Sequence, residues 1–99
     1  MATNPLEPAL SEQAMKLLSE ITRESGDGYT LMSRTGLNRA DFQAAVKQLQ
    51  EQGVIEVKGD TSVKRVGEAY FYVPLPAQGK VDVLLGRFGN LFARIFRQV

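Results

Sequence analysis

One stretch constrains the fold more than any other: TGLNRADFQAAVKQLQEQGVIEVKG, Thr35 to Gly59. Gly36 supplies a tight turn, because a residue without Cβ takes left-handed backbone at no steric penalty. Asn38 follows as a helix cap, its side-chain oxygen able to accept from the free amides of the first turn. Asp41, three residues on, makes this a variant of the capping box. Phe42, Ala45, Val46 and Leu49 recur at i, i+3, i+4 and i+7, one apolar stripe of a helix. Gly53 closes that helix, and Val54 to Lys58 alternates apolar and polar as a half-buried strand does.

The flanks extend the pattern. Ser11 is a good N-cap for a first helix whose stripe is Ala14, Leu17, Leu18 and Ile21. The run ESGDG ends it, with Gly26 expected to take the left-handed conformation at the C-cap. A short second helix is predicted from near Asp27 or Thr30 through Leu31 and Met32 to Thr35. Downstream, Tyr70 to Val73 has the aromatic and β-branched alternation of a second strand. GDTSVKRVGEA lies between the strands as a long hairpin tip. PLPAQG stops the sheet, because proline cannot donate to the ladder. From Lys80 to Val99 the periodicity is helical again.

The predicted order is helix, helix, turn, helix, strand, tip, strand, helix, an α+β arrangement. Two helices joined by a glycine turn form a helix-turn-helix unit, and two strands with a projecting tip make a wing. The run RTGLNRADFQAAVKQLQEQGVIE resembles the winged helix-turn-helix family found in many bacterial transcriptional repressors. The shared pattern is a turn glycine, an apolar residue, a polar cap, a recognition helix with a leucine near its end, then glycine and an apolar strand. The resemblance covers roughly residues 11–74 and implies a three-helix core with a two-stranded wing. It implies DNA binding less directly, because the same fold also serves in protein–protein contacts. The expected organisation is a flexible segment over 1–10, the winged helix-turn-helix domain over 11–76, and an amphipathic helix over 77–99.

Composition narrows the chemistry. The 99 residues suit a single domain with one core. With no cysteine there is no disulfide, thiolate nucleophile or cysteine metal site, and with no histidine the commonest general base and metal ligand is missing. No phosphate-cradling glycine loop is present, since Gly86 and Gly89 do not follow a strand. Glu20 and Glu24 lie one helical turn apart with nothing to make them acid and base. The expectation is therefore no enzyme, cofactor or metal. MATNPLEPAL lacks the basic start and apolar run of a signal peptide, and no window holds about 18 uninterrupted apolar residues. A cysteine-free chain suits a reducing cytoplasm, the expected location. The net charge of +1 names no partner, and its gradient is mild: five basic and six acidic side chains in residues 1–50, seven and five in residues 51–99.

What the third helix presents decides between DNA and a protein partner. In the docking mode of this fold, the second helix of the unit enters the major groove by its N-terminal part. Advancing about 100° per residue from a buried Phe42 points Ala40, Gln43, Ala44 and Lys47 outward, with Arg39 at the helix entrance and Gln50 on one flank. Glutamine can make a bidentate contact to adenine, and Arg39 and Lys47 can meet phosphate or guanine. Asp41 and Glu51 cancel those two positive charges, so the helix by itself is a poor electrostatic anchor. On the tip, Lys64 and Arg65 suit the DNA backbone, and equally suit a solvated hairpin end whose charge prevents edge pairing. Arg34, beside the turn, fits phosphate contact or plain surface. The candidate DNA-binding set is Arg34, Arg39, Gln43, Lys47, Lys64 and Arg65.

On the last helix, Val81, Leu84, Leu85, Phe88, Leu91, Phe92, Ile95, Phe96 and Val99 share one broad face, opposite Arg87, Asn90, Arg94 and Arg97. A face so apolar calls for cover. Three covers are open: the chain's own domain, a second copy, or an anionic membrane surface. The second copy is preferred, because two-fold DNA sites need two copies and the resembled repressors commonly add terminal helices for that purpose. The candidate interface is Leu84, Phe88, Leu91, Phe92, Ile95 and Phe96. The sequence thus points to a small dimeric DNA-binding regulator of transcription acting on double-stranded DNA. The alternative is an interaction module of the same fold that binds no DNA and meets a protein partner or, less favoured, a membrane surface through its last helix.

Overall fold

A computed structural model describes residues 10–86. α1 (Glu12–Arg23) starts where Ser11 Oγ accepts from the Ala14 amide at 3.1 Å. Glu12 in its first turn and Arg23 in its last complement the helix dipole. Ala14, Leu17, Leu18 and Ile21 are buried along one face, as their spacing requires. The helix stops at Glu24 in extended backbone, not at a left-handed Gly26. Gly26 and Asp27 instead form β1 (Gly26–Asp27), a strand absent from the sequence-based order. A two-residue strand has no periodicity, and β1 exists because its backbone finds a partner in the sheet.

α2 (Gly28–Thr35) ends at Gly36, whose φ of 74° allows its amide to donate to the Met32 carbonyl at 2.8 Å. Buried Thr35 secures this turn from inside. Its hydroxyl donates to the Leu31 carbonyl at 2.8 Å and accepts from the Leu37 amide at 3.3 Å. α3 (Arg39–Glu51) is capped by Asn38, which accepts from the Asp41 amide at 2.8 Å. Among the described residues only this forward half of the capping box is made. At the far end the Gly53 amide bonds the Gln50 carbonyl and the Val54 amide bonds the Leu49 carbonyl, a Schellman closure.

That closure explains why the next strand is shorter than its alternation suggests. The Val54 amide is committed to α3, so β2 (Glu56–Lys58) begins two residues late, and Val54 and Ile55 serve as core residues in the connection. β3 (Tyr70–Tyr72) lies at the centre of a three-stranded antiparallel sheet of order β1-β3-β2. Its register pairs Gly26 with Phe71 on one side and Val57 with Phe71 on the other. Phe71 is thus the inward-facing centre of the sheet, fully buried against the helices.

The segment between β2 and β3 does not simply project. A turn of 3-10 helix at Val66–Glu68 folds it back, and Val66 is buried in the core. After β3, a second 3-10 turn at Leu75–Ala77 leads into α4 (residues 78–86, helical to the end of the described chain). Val81 and Leu84 join the same core, and Lys80 Nζ donates to the Gln52 carbonyl at 2.6 Å. Among the described residues no helix is long and apolar enough to cross a membrane.

Candidate nucleic-acid interface

The helix-turn-helix unit presents one face of α3. Phe42, Ala45, Val46 and Leu49 take up the inner face, leaving Ala40, Ala44, Lys47 and Gln50 exposed and Gln43 half-exposed. The predicted outward set is therefore the observed one. Gln48, half-buried on the same helix, has a tertiary role: its Oε1 accepts from the Ser11 amide at 2.9 Å and ties the start of α1 to α3.

Arg39 occupies a different place from the one its sequence position suggests. Its Nη1 donates to the carbonyls of both Val63 and Lys64 at 3.2 Å, and its Cζ lies 5.6 Å from the centre of the Tyr29 ring. The first residue of α3 thus grips the wing backbone instead of simply facing solvent. Tyr29 also packs on the wing's base: a Cβ on Gly67 would fall 2.6 Å from its Cε1. A Cβ on Gly28 would likewise collide with the Val66 carbonyl, and the Gly28 amide donates to the Ala69 carbonyl at 2.9 Å. Gly28 thus lets α2 and the wing approach backbone to backbone, and Gly67 makes room for the Tyr29 ring. Tyr29, Val66 and Gly67 escaped the sequence reading because none belongs to a periodic run.

The two tip cations are free to face outward. Lys64 is exposed and has no salt-bridge partner among the described residues. Arg65 has a loose one, Glu68, at 4.0 Å with both side chains largely exposed. Asp60 at the start of the tip accepts from the Ser62 amide at 2.8 Å. That backbone bond, with a further bond from the Ser62 side chain, holds its carboxyl below the usual carboxylate range. Arg34 is largely engaged at home, its Nη2 2.9 Å from Glu24 Oε1. Of the candidate interface, Leu84 is a core residue of its own domain, because the root of α4 docks there, and it leaves the set available to a second copy. Phe88, Leu91, Phe92, Ile95 and Phe96 lie outside the described residues. Among the described residues no cluster of acidic side chains is arranged to hold a metal ion.

Three helices with a glycine turn before the third, followed by a sheet whose long connection docks back on α2, define a winged helix-turn-helix fold. No family model matches the sequence, and no curated protein matches it. Solved structures do match. A transcriptional regulator of the MarR family from Silicibacter pomeroyi superposes with a TM-score of 0.66 at 19% identity, over 91% of this chain and 60% of that one. The adhesin competence repressor AdcR of Streptococcus pyogenes gives 0.63 at 16% identity, over 97% and 71%. ZitR of Lactococcus lactis, in a complex with DNA, gives 0.65 at 15% identity, over 99% and 65%. At such identities the likeness is one of fold, the winged helix of these regulators. The chain spans 60% of the length of the first of them.

Proposed function

We propose that this chain is a DNA-binding regulator of transcription that reads double-stranded DNA with the outer face of α3 and grips its backbone with the wing. The observation that carries the reading is the pairing of two surfaces. The small and amide-bearing side chains Ala40, Gln43 and Ala44, with Lys47, stand outward on a rigid helix, and the wing carrying Lys64 and Arg65 is held at that helix's first residue. Fold neighbours support it: one is a transcriptional regulator, and another is in a complex with DNA. Gln43 and Lys47 take the base-reading role, Lys64 and Arg65 the phosphate role, and Arg34 a phosphate role in competition with Glu24. The proposal carries a cytoplasmic location and a non-enzymatic role with it.

The test is fluorescence anisotropy with labelled duplexes over a salt series, after selection of a preferred site. Lys64→Ala with Arg65→Ala is expected to weaken binding to all duplexes and to flatten the log–log salt slope by about 0.9 per lost contact. Gln43→Ala is expected to reduce preference for one sequence, by about 1–3 kcal/mol for a bidentate contact. Failure of every duplex to bind at low salt ends the regulator reading.

The proposal extends to a homodimer joined through residues beyond Gly86, on the sequence pattern of Phe88, Leu91, Phe92, Ile95 and Phe96. Because Val81 and Leu84 are core residues, the informative truncation ends at Gly86 and keeps them. Sedimentation is expected to show a dimer for the full chain and a monomer for the truncated one. A full-length monomer refutes the extension.

A further inference from the structure

We infer that Arg39 acts as a positioning residue, a strut that sets the wing against the reading helix, and is not itself a phosphate contact. This rests on the DNA-binding reading and adds how its two halves are held in register.

Arg39 Nη1 carries two hydrogens and has two acceptors at 3.2 Å, the carbonyls of Val63 and Lys64. These carbonyls belong to the residues immediately before and at the first tip cation. The guanidinium carbon lies 5.6 Å from the centre of the Tyr29 ring, which in turn closes on Gly67 at the wing's base. A single side chain from α3 and a single ring from α2 thereby fix the wing at both ends of its 63–67 segment. Arginine suits this work, since its guanidinium donates to two acceptors while its charge faces an aromatic ring. The same position on α3 in an unbraced protein would free the guanidinium for DNA. Here its nearest partners are the protein's own backbone, and the cations it places are Lys64 and Arg65.

The consequence is an energetic dependence. Loss of Arg39 removes the wing contacts along with it, so its effect on DNA binding runs through Lys64 and Arg65 and is not added to theirs. A direct phosphate contact behaves oppositely: it is independent of the wing and contributes its own increment to the salt slope.

Two measurements decide this on the full chain. In the free protein, amide exchange of Arg65, Val66 and Glu68, which donate within the wing turn, is expected to speed about tenfold or more in Arg39→Ala and Tyr29→Leu. Tyr29→Phe, which keeps the ring, is expected to leave it unchanged. With DNA, Lys64→Ala plus Arg65→Ala lowers the salt slope by nearly two units, at about 0.9 per contact. Adding Arg39→Ala to that pair is expected to change the slope by less than about half of one contact's share. Unaltered wing exchange in Arg39→Ala overturns the strut, and so does a further full unit of slope in the triple variant. If no duplex binds at all, the regulator reading falls while the exchange data still judge the strut.

Discussion

Phe42 of α3 meets Phe71 of the central strand edge to face, ring centres 5.4 Å apart and planes at 87°. Both rings are fully buried, and this contact is where α3 is seated on the sheet. Phe42→Ala is expected to lower the unfolding free energy by about 3–5 kcal/mol, as loss of a buried aromatic does. A double-mutant cycle with Phe71→Leu, read by urea denaturation, is expected to yield a coupling of about 0.5–1.5 kcal/mol. Additive effects would show that the two rings pack independently.

Glycine substitutions separate close approach from open helix. Gly28→Ala puts a methyl into the Val66 carbonyl and within 2.7 Å of Gly67 Cα, a backbone collision with no flexible group to yield. It is expected to cost about 1–3 kcal/mol or more, as overpacking does. Gly79, on α4, has no atom within 4 Å of its would-be Cβ. Gly79→Ala is expected to stabilise by about 0.5–1 kcal/mol through helix propensity. Thermal melts of the two variants should shift in opposite directions.

Acid should weaken the wing turn at Asp60. Asp60 is held below the usual carboxylate range by the Ser62 amide, so the folded state binds its proton less tightly than the unfolded chain does. The stability it contributes is therefore complete above the unfolded value of 3.8 and is lost as pH falls through the lowered folded value. Asp60→Asn is expected to remove this part of the acid sensitivity. A proton titration of the Ser62 amide shift, wild type against variant, checks it. Tyr72 works at the other end of the scale: partial burial, then the charge of Glu56, to which its hydroxyl donates at 3.2 Å, raises its pKa. Its contribution is full below the unfolded value of 10.0 and is lost as pH rises through the raised folded one.

Glu24 restrains Arg34. Glu24→Gln removes the carboxylate 2.9 Å from the guanidinium. The pair is exposed, so stability should move by less than about 1 kcal/mol. Non-specific DNA affinity at low salt is expected to rise, and the salt slope to steepen by up to about 0.9, one phosphate's worth. An unchanged slope would take Arg34 out of the interface.

Caps and stripes were legible in the sequence because they are local. Ser11 and Asn38 cap α1 and α3 with their own side chains, and the buried faces of both helices follow from spacing alone. What was not legible is tertiary. β1 is a strand only because Gly26 and Asp27 meet β3, and Val54 leaves the ladder because the Schellman closure takes its amide. Val66 lies in a turn-rich stretch between the strands where no strand or long helical period runs, so nothing in the sequence marks it as the pin that folds the wing back. The outward set on α3 was readable from Phe42, yet Arg39 was not, since the carbonyls it grips lie 24 and 25 residues further along the chain.

Lys80 binds the carbonyl of Gln52, the residue that caps α3, while Val81 and Leu84 lock the first turns of α4 into the core. The trailing end of α3 and the root of α4 are thereby one mechanical joint. A displacement of α4 at Gly86 would therefore be felt at the C-terminal end of α3. If two such chains pair and bind DNA as proposed, a swivel at that joint would move both copies of α3 together and change their separation against the about 34–36 Å turn of the double helix. Such a movement would leave the outward side chains of α3 themselves unaltered.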